Sequence, residues 1–455
     1  MFYWTILLLL AAWPAMGAER PNFLIIFTDD QCFRSIGYAN EQLKTPHLDR
    51  LAGDGMIFEN CYVASPICAA SRASMMTGLY PQQHGVIALN TRPFQTFRKG
   101  GEKAHLTLAN RLGMAGYHSA FYGKSHLGDP RTYGFHEGME NKDVKDIDAF
   151  AGATQFVEKA AKMDKPFFLW LAPRQPHVPL VPEEKWLELY DKKEIKLDPN
   201  FRREPLKYAI NNQGKAGEHF YRDSNYTHNW KKLPAGPPRD EASMRLFIKA
   251  YYATISHLDQ QVGSLINRLD ELGLGEDTLI IYLSDNGYHL GNHGLGNKIT
   301  MHEESVKVPM WIRWKGMVDA GVRNKELVST LDIYPTLIEL AGAERPAQTM
   351  GKAIAVGRGP FQQQAGQLAV FSECTGVGGQ SGEGHRMIRM RDWKLILTDQ
   401  NEWHYYDLQK DPFEQRNLYG KAGPTEEVRL QSMQIQLHAW MKRIGDRKIP
   451  AALLK

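Results

Sequence analysis

Residues 22–30 read Asn-Phe-Leu-Ile-Ile-Phe-Thr-Asp-Asp, a short apolar run that ends in two carboxylates. This pattern predicts a buried strand whose C-terminal end carries function. A second such run, Thr278–Ser284, is followed by Asp285 and Asn286. In open α/β sheets, ligands bind at the carboxyl ends of the strands. Two separate strands that end in such side chains therefore indicate an α/β fold with a site at one edge of its sheet.

The segments around these two runs alternate between helix and strand. Apolar spacing and proline placement predict helices over Thr45–Leu51, 150–163 and Met244–Leu272, and a further strand over Pro166–Ala172. Such alternation favours a large mixed, mostly parallel sheet sandwiched by helices.

The character of the chain changes after Gly342. Short aromatic or β-branched runs separated by turns predict a smaller C-terminal antiparallel sheet; they are Leu368–Phe371, His385–Met390, Trp393–Thr398 and Glu402–Leu408. A final amphipathic helix is predicted over Glu426–Arg443. We therefore divide the chain into a catalytic domain, residues 19–350, and an α+β subdomain, residues 351–455. The polar stretch Lys196–Asp240 is long for a loop and predicts a substrate-facing insertion.

Bulk properties restrict the function classes. The chain has 455 residues and a formal net charge of only +4, which does not suggest a nucleic-acid-binding protein. Residues 1–18 contain an apolar run, Ile6–Trp13, followed by small residues, which predicts a secretory signal peptide. A retained anchor is the alternative. After cleavage we expect an exported protein, periplasmic or secreted, without a membrane segment.

Four oxygen-bearing side chains follow the two apolar runs: Asp29, Asp30, Asp285 and Asn286. Three carboxylates and one amide oxygen are hard ligands that suit Ca²⁺, or less comfortably Mg²⁺, and suit zinc or copper poorly. Each pair by itself could also be an ordinary turn after a strand. Together they predict a calcium site.

The motif with the most chemical content is Cys68-Ala69-Ala70-Ser71-Arg72, followed by Thr77-Gly78. If a helix begins at Cys68, then Arg72 lies on the same face and its guanidinium can hydrogen-bond the side chain at position 68. A buried structural cysteine is the alternative. The motif resembles the signature of the type I sulfatases, in which this cysteine is oxidised to formylglycine (3-oxoalanine) by a maturation enzyme. That family most often has proline where Ala70 stands, which leaves open which maturation enzyme acts.

The modification would also limit disulfide formation. With Cys68 modified, three cysteines remain, which allow at most one disulfide; they are Cys32, Cys61 and Cys374. No two cysteines have the spacing of zinc ligands.

The resemblance extends to four further residues. Gly123-Lys124-Ser125-His126-Leu127-Gly128 is similar to the Gly-Lys-Trp-His-Leu-Gly element of the family, with serine replacing tryptophan. It implies that Lys124 contacts the sulfate and that His126 hydrogen-bonds the formylglycine hydrate. If both residues lie on a strand, they share a face. His177 matches the family's histidine beside the sulfate ester, and Lys298 matches its second sulfate lysine. By default these four residues would be loop or surface residues.

The resemblance implies a mechanism as well. Calcium, which also contacts position 68, lowers the pKa of one hydroxyl of the hydrate, which then attacks sulfur. Lys124, Lys298 and Arg72 stabilise the sulfate oxygens, and His177, together with Lys298, protonates the leaving alcohol. His126 then takes a proton from the second hydroxyl, so that the covalently bound sulfate leaves by elimination and the aldehyde is restored. The implied function is a sulfuric ester hydrolase of the alkaline-phosphatase-like superfamily that acts on a sulfated carbohydrate.

The resemblance is closest to bacterial polysaccharide sulfatases. Pro176-His177-Val178-Pro179, with Leu189-Tyr190 behind it, also looks like the iduronate-2-sulfatase branch. Two other functions remain open: a phosphonate or phosphodiester hydrolase of the same superfamily, and an inactive exported glycan-binding homologue. Asn286 favours a sulfatase, because the phosphoester enzymes tend to have histidine there. Sugar specificity is expected from the insertion and the C-terminal sheet, where the candidate residues are Glu373, His385 and Arg386.

Overall fold

The computed structural model describes residues 20–89, 106–140, 146–202, 240–356, 367–375 and 384–448. The predicted signal peptide lies outside these ranges, as do residues 203–239 of the predicted insertion. Among the described residues, no helix has both the length and the apolar character that a bilayer crossing requires.

The larger sheet has nine strands within the described residues, in the order β4-β3-β5-β1-β6-β8-β2-β7, with β9 paired to β2. These strands are β1 Asn22–Thr28, β2 Met56–Tyr62, β3 His118–Gly123, β4 Glu137–Glu140, β5 Phe167–Ala172, β6 Thr278–Ser284, β7 Lys307–Val308, β8 Met310–Arg313 and β9 Val322–Ser329. The five neighbouring strands β4, β3, β5, β1 and β6 run parallel to one another, and β8 is antiparallel to both β6 and β2. The predicted mixed, mostly parallel sheet is confirmed.

Ten α-helices lie within the described residues. They are α1 Pro46–Gly53, α2 Cys68–Thr77, α3 Pro81–His84, α4 Leu108–Met114, α5 Asp146–Ala160, α6 Glu184–Leu187, α7 Glu241–Glu271, α8 Glu303–Val306, α9 Ile333–Leu340 and α10 Pro424–Arg443. The long helix predicted over Met244–Leu272 is α7, which begins earlier because the Asp240 side chain accepts a hydrogen bond from Ser243 N–H.

Alternation along β1 shows how the layers are built. Phe23, Ile25 and Phe27 pack into a core with residues of α2, α4 and α9, whereas Leu24 and Ile26 pack into a second core with residues of α1, α5 and α7. Successive side chains of a strand point to opposite faces, so both faces of the central strand are covered by helices. This complete coverage explains why β1 reads as a continuous apolar run rather than an alternating one.

The predicted smaller antiparallel sheet and its helix are also present. Strands β10 Val370–Cys374, β11 His385–Met390, β12 Trp393–Leu397 and β13 Trp403–Asp407 pair in chain order. Helix α10 packs on this sheet through its apolar face, which contributes Leu430, Met433 and Leu437 to a shared core. The domain boundary at residue 350 stays a prediction, although it falls between the two sheets.

The prediction that Glu373, His385 and Arg386 contribute to sugar specificity is wrong. All three are at most 3% exposed. Arg386 forms an ion pair with Asp446, and both carboxylate oxygens of Glu373 accept hydrogen bonds from Gln82. Pairing of β10 with β11 under α10 buries these side chains, so they stabilise the subdomain rather than face a ligand.

Candidate active site

Asp29 and Asp30 meet Asp285 and Asn286 at the carboxyl edge of the large sheet. They come together because β1 and β6 are adjacent parallel strands in which Thr28 is level with Ser284. Asp30 N–H donates to Asp285 Oδ1 at 3.2 Å, and Asn286 Nδ2 donates to Asp30 Oδ1 at 2.6 Å. The structure therefore brings together the four residues predicted as metal ligands.

The turn after β1 is held by the long helix α7. Asp30 has φ of 64°, a left-handed conformation that is costly for a residue other than glycine. Tyr251 O–H donates to the Asp30 carbonyl at 2.5 Å, and the phenol oxygen of Tyr251 accepts the Cys32 N–H at 3.1 Å. The apolar spacing of α7 predicts that Tyr251 lies in the core, but it does not predict that the Tyr251 hydroxyl binds the turn after β1.

Cys68 is the first residue of α2 and lies inside the cluster. Its Sγ is 3.4 Å from Asp29 Oδ1, 4.0 Å from Asp30 Oδ1 and 3.1 Å from Lys298 Nζ. The side chain is 1% exposed, and burial raises the pKa of the thiol well above its ordinary value. Cys32, Cys61 and Cys374 are buried as well.

Arg72 lies one turn further along α2, as the helix prediction required. Its Nε and Nη2 each lie 2.8 Å from Asp285 Oδ2, and Nη1 donates to the Lys124 carbonyl. The guanidinium therefore binds the acidic cluster and the chain after β3, rather than the side chain at position 68 as expected. The ion pair between the Arg72 guanidinium and the Asp285 carboxylate orients both groups.

Lys124 and Lys298 approach the cluster from two different loops, the first after β3 and the second after β6. Lys124 Nζ pairs with Asp29 Oδ2, and Lys298 Nζ pairs with Asp30 Oδ1. Burial would lower the pKa of Lys298, but the charges of Asp30, position 68 and Asp29 hold it well above its usual range. Lys298 therefore carries positive charge next to position 68.

The expectation that Lys124 and His126 share a strand is wrong. Strand β3 ends at Gly123, and His126 has φ of 61° in the loop that follows. Ser125 Oγ donates to the Gly128 carbonyl and accepts the Leu127 N–H, which closes the loop tightly. Burial, followed by the positive charge of Lys124, lowers the pKa of His126 to about 3, so the imidazole is neutral at physiological pH.

His177 faces the carboxylates from the loop after β5. Its Nε2 is 3.6 Å from Asp30 Oδ2, and its Nδ1 is 2.5 Å from the Val178 carbonyl. A carbonyl can only accept, so Nδ1 carries a proton and Nε2 is the nitrogen that faces the cluster. Burial, then Lys124, lowers the pKa of His177 to about 4.

The acidic cluster has the properties of a cation site. Asp30 Oδ2 and Asn286 Oδ1 are buried and have no hydrogen-bond partner within the described part of the chain. Burial and the adjacent Asp29 raise the pKa of Asp285 to about 7, because negative charges are crowded together. Oxygen atoms of Asp29 and Asp30 lie within 4.8 Å of Cys68 Sγ and a His177 ring nitrogen. The side-chain oxygens of Asp29, Asp30, Asp285 and Asn286 are hard ligands of the kind that fits Ca²⁺.

Two family models match this chain, and known proteins are similar to most of it. A family model described as Sulfatase matches residues 21–343, and a model described as N-sulphoglucosamine sulphohydrolase, C-terminal, matches residues 291–443. An N-acetylglucosamine-6-O-sulfatase of Bacteroides thetaiotaomicron is 26% identical, with 89% of this chain and 83% of the relative covered. An ulvan-active sulfatase of Formosa agariphila is also 26% identical, with 94% and 82% covered.

Solved structures share the fold. One, described as a complex with its substrate D-glucosamine-2-N,6-O-disulfate, has a TM-score of 0.76 at 23% identity and covers 95% of this chain and 99% of its own. A phosphonate monoester hydrolase from Silicibacter pomeroyi has a TM-score of 0.73 at 20% identity, with 94% and 96% covered. These likenesses support the α/β fold alone. Because the Sulfatase model spans more than half of the chain, the protein belongs to the Sulfatase family and is an enzyme of that family.

Proposed function

We propose that the protein hydrolyses a sulfate ester of a carbohydrate, with a formylglycine made from Cys68 as nucleophile and Ca²⁺ as the metal. The observation that carries the proposal is the position of Cys68 Sγ, 3.4 Å from Asp29 Oδ1 and 3.1 Å from Lys298 Nζ. A buried thiol with a raised pKa is a poor nucleophile. The same position occupied by an aldehyde hydrate would present hydroxyls to a metal and to an anionic ester.

The proposed metal ligands are oxygen atoms of Asp29, Asp30, Asp285 and Asn286. Their unpartnered oxygens support this assignment, since Asp30 Oδ2 and Asn286 Oδ1 have acceptor capacity that nothing else uses. When bound, Ca²⁺ would polarise the sulfate group and the hydroxyl at position 68.

Three cations of the chain would bind and neutralise the sulfate group. Lys124 and Lys298 pair with Asp29 and Asp30, so their ammonium groups can turn from these carboxylates to the sulfate oxygens when the metal takes over the carboxylates. Arg72 stays bound to Asp285 and contributes charge from the rear of the site. These side chains favour a bound sulfate ester and stabilise the charge that gathers on its oxygens.

The two histidines would move protons at opposite ends of the reaction. His177 Nε2 faces the cluster and is the atom from which a proton would reach the leaving oxygen, after the anionic substrate has raised the basicity of the ring. His126 is neutral and its Nδ1 has no hydrogen-bond partner among the residues that the structure describes, so it can accept a proton from position 68. This division assigns the acid role to one loop and the base role to another.

The substrate class comes from the relatives. Sulfatases active on N-acetylglucosamine-6-sulfate and on ulvan, both sulfated carbohydrates by their names, align with most of the chain. We therefore propose a sulfated carbohydrate as substrate, an exported protein, and maturation by a formylglycine-generating enzyme. The narrower iduronate-2-sulfatase resemblance stays a prediction.

The test combines peptide mass with a substrate panel. The enzyme is produced in its native host, and the peptide mass over positions 61 and 68 is measured by mass spectrometry. We expect the aldehyde at position 68 and an unchanged thiol at Cys61. Sulfated mono- and oligosaccharides are then compared with matched phosphate and phosphonate esters. Preference for the phosphorus esters would favour the alternative hydrolase, whose solved relative shares the fold. An unmodified Cys68 with sugar binding but no turnover would favour the inactive glycan-binding homologue.

A further inference from the structure

Asp146, the first described residue of α5, binds the loop that carries His177. Its Oδ1 accepts the Arg174 N–H at 2.6 Å and its Oδ2 accepts the Gln175 N–H at 2.8 Å. The residue is 8% exposed, and it lies 28 and 29 positions before its two donors. Both oxygens of this carboxylate therefore bind the backbone of another segment.

The carbonyl group of Gln175 is bound by the turn after β1, which carries the proposed metal ligands. The Gln175 carbonyl accepts the Asp29 N–H at 3.3 Å, and Asp29 forms a parallel bridge with Pro176. His177 N–H then donates to the Arg174 carbonyl at 2.8 Å, which turns the chain towards the cluster. Asp146 thus binds the N–H groups of the two residues whose carbonyls accept the His177 and Asp29 N–H groups.

We infer that Asp146 is a positioning residue, which orients His177 so that Nε2 faces the leaving oxygen of the ester. This inference rests on the proposed function, because it gives His177 the role of general acid. Asp146 has no contact with the acidic cluster among the described residues; it acts through the backbone of Arg174 and Gln175. Its role therefore differs from those of the residues that would touch the substrate.

The structure offers a matched control in Asp259. This carboxylate is 2% exposed and also accepts two consecutive backbone N–H groups, from His47 at 3.3 Å and Leu48 at 2.7 Å. Burial raises the pKa of both Asp146 and Asp259 to about 6. Asp259 joins α7 to α1, and among the described residues it forms no hydrogen bond with the loop of His177, which α7 contacts through His257 instead.

The experiment compares Asp146→Asn with Asp259→Asn on two sulfate esters. One ester has a poor alcohol leaving group, and the other has an activated aryl leaving group that needs little protonation. We expect Asp146→Asn to lower kcat about 10- to 100-fold on the poor leaving group and only about threefold on the aryl ester, with KM nearly unchanged. Asp259→Asn should lower thermal stability but leave the ratio of the two kcat values as in wild type.

Two further variants complete the test. In Asp146→Asn/His177→Ala we expect a loss no larger than that of His177→Ala alone, because both changes remove the same proton transfer. Asp146→Glu keeps the charge, serves if the asparagine variant does not fold, and should show a smaller loss with the same leaving-group dependence.

The contrary outcomes are distinct. Equal losses of kcat on both esters, or losses that multiply in the double variant, would overturn the positioning role. A wild-type protein that carries the aldehyde at position 68 and turns over neither ester would refute the proposed function instead.

Discussion

Lys298 Nζ lies 3.1 Å from Cys68 Sγ, although 230 positions of sequence separate the two residues. The contact joins the loop after β6 to the first turn of α2, and Asp30 pairs with the same ammonium group. The Lys298 side chain is only 8% exposed, and the Asp30 carboxylate offsets the cost of burying its charge. An ordinary structural cysteine would not require such a lysine beside it. We therefore interpret this pair as part of a site for an anion.

Replacement of Cys68 by alanine should leave the fold intact and remove activity. The side chain faces polar groups rather than a tight apolar contact, and loss of a nucleophile typically costs at least about 10³-fold in kcat. Thermal melting and turnover of a sulfate ester measure the two effects. Cys374→Ala is the control, because that buried thiol lies in β10 and should affect stability alone. Substantial turnover by Cys68→Ala would contradict the proposal.

Removal of calcium should lower both activity and stability. A ligand that binds only the folded state stabilises it by about 2.7 kcal/mol when its free concentration is 100 times Kd. We expect exhaustive chelation to abolish turnover and lower Tm, and added Ca²⁺ to restore both better than Mg²⁺. Elemental analysis supplies the stoichiometry. Full activity in protein shown to be metal-free would rule out the four-oxygen site.

The effect of His126→Ala should not depend on pH between about 5 and 8. Because the pKa of His126 is lowered to about 3, the ring is neutral throughout this range, and a bound Ca²⁺ would lower its pKa further. We expect kcat to fall about 100-fold or more, by the same factor at each pH. The measurement is the ratio of wild-type to variant kcat across the range. A ratio that shrinks as the pH falls below about 6.5 would show that the ring titrates there.

Replacement of Tyr251 by phenylalanine should weaken metal binding. The change removes the hydroxyl that holds the Asp30 carbonyl and the Cys32 N–H, so the left-handed turn at Asp30 loses its support. We expect a loss of about 1 kcal/mol in stability and a rise of about 10-fold in the Kd for Ca²⁺, measured by calorimetry.

The neighbouring Tyr252→Phe is the control for that experiment. Tyr252 O–H accepts a hydrogen bond from Asn40 Nδ2, away from the acidic cluster. The Tyr252→Phe variant should lose about as much stability as Tyr251→Phe, without a change in its affinity for calcium. Equal calcium affinity in both variants and wild type would show that Tyr251 serves the fold alone.

Local patterns in the sequence were sufficient for the elements that deliver the site. The apolar runs at 22–28 and 278–284 are the observed strands β1 and β6, and the helix starting at Cys68 is present. These patterns are read from a few neighbouring residues, and the parallel arrangement follows from the alternation of strand and helix. The convergence of Asp29 and Asp285 could therefore be predicted.

The exact loop geometry could not be predicted in the same way. Lys124 and His126 leave the strand at Gly123, and the guanidinium of Arg72 turns to Asp285, because partners distant in the chain decide both orientations. Glu373 and Arg386 read as exposed polar residues of a small sheet, yet Gln82 and Asp446 pair with them in the interior. No periodicity of a strand records which of its polar side chains will find a buried partner.

The sequence by itself determined the alternation of strands with helices, the acidic ends of β1 and β6, and the cysteine at the start of α2. Only the tertiary structure decided which groups support them: Tyr251 under Asp30, and Asp146 behind His177. The physical reason is range. Apolar periodicity and helix initiation act over a few residues, whereas the hydrogen bonds that orient a site join segments far apart in the chain, and they exist only after the sheet has packed against its helices.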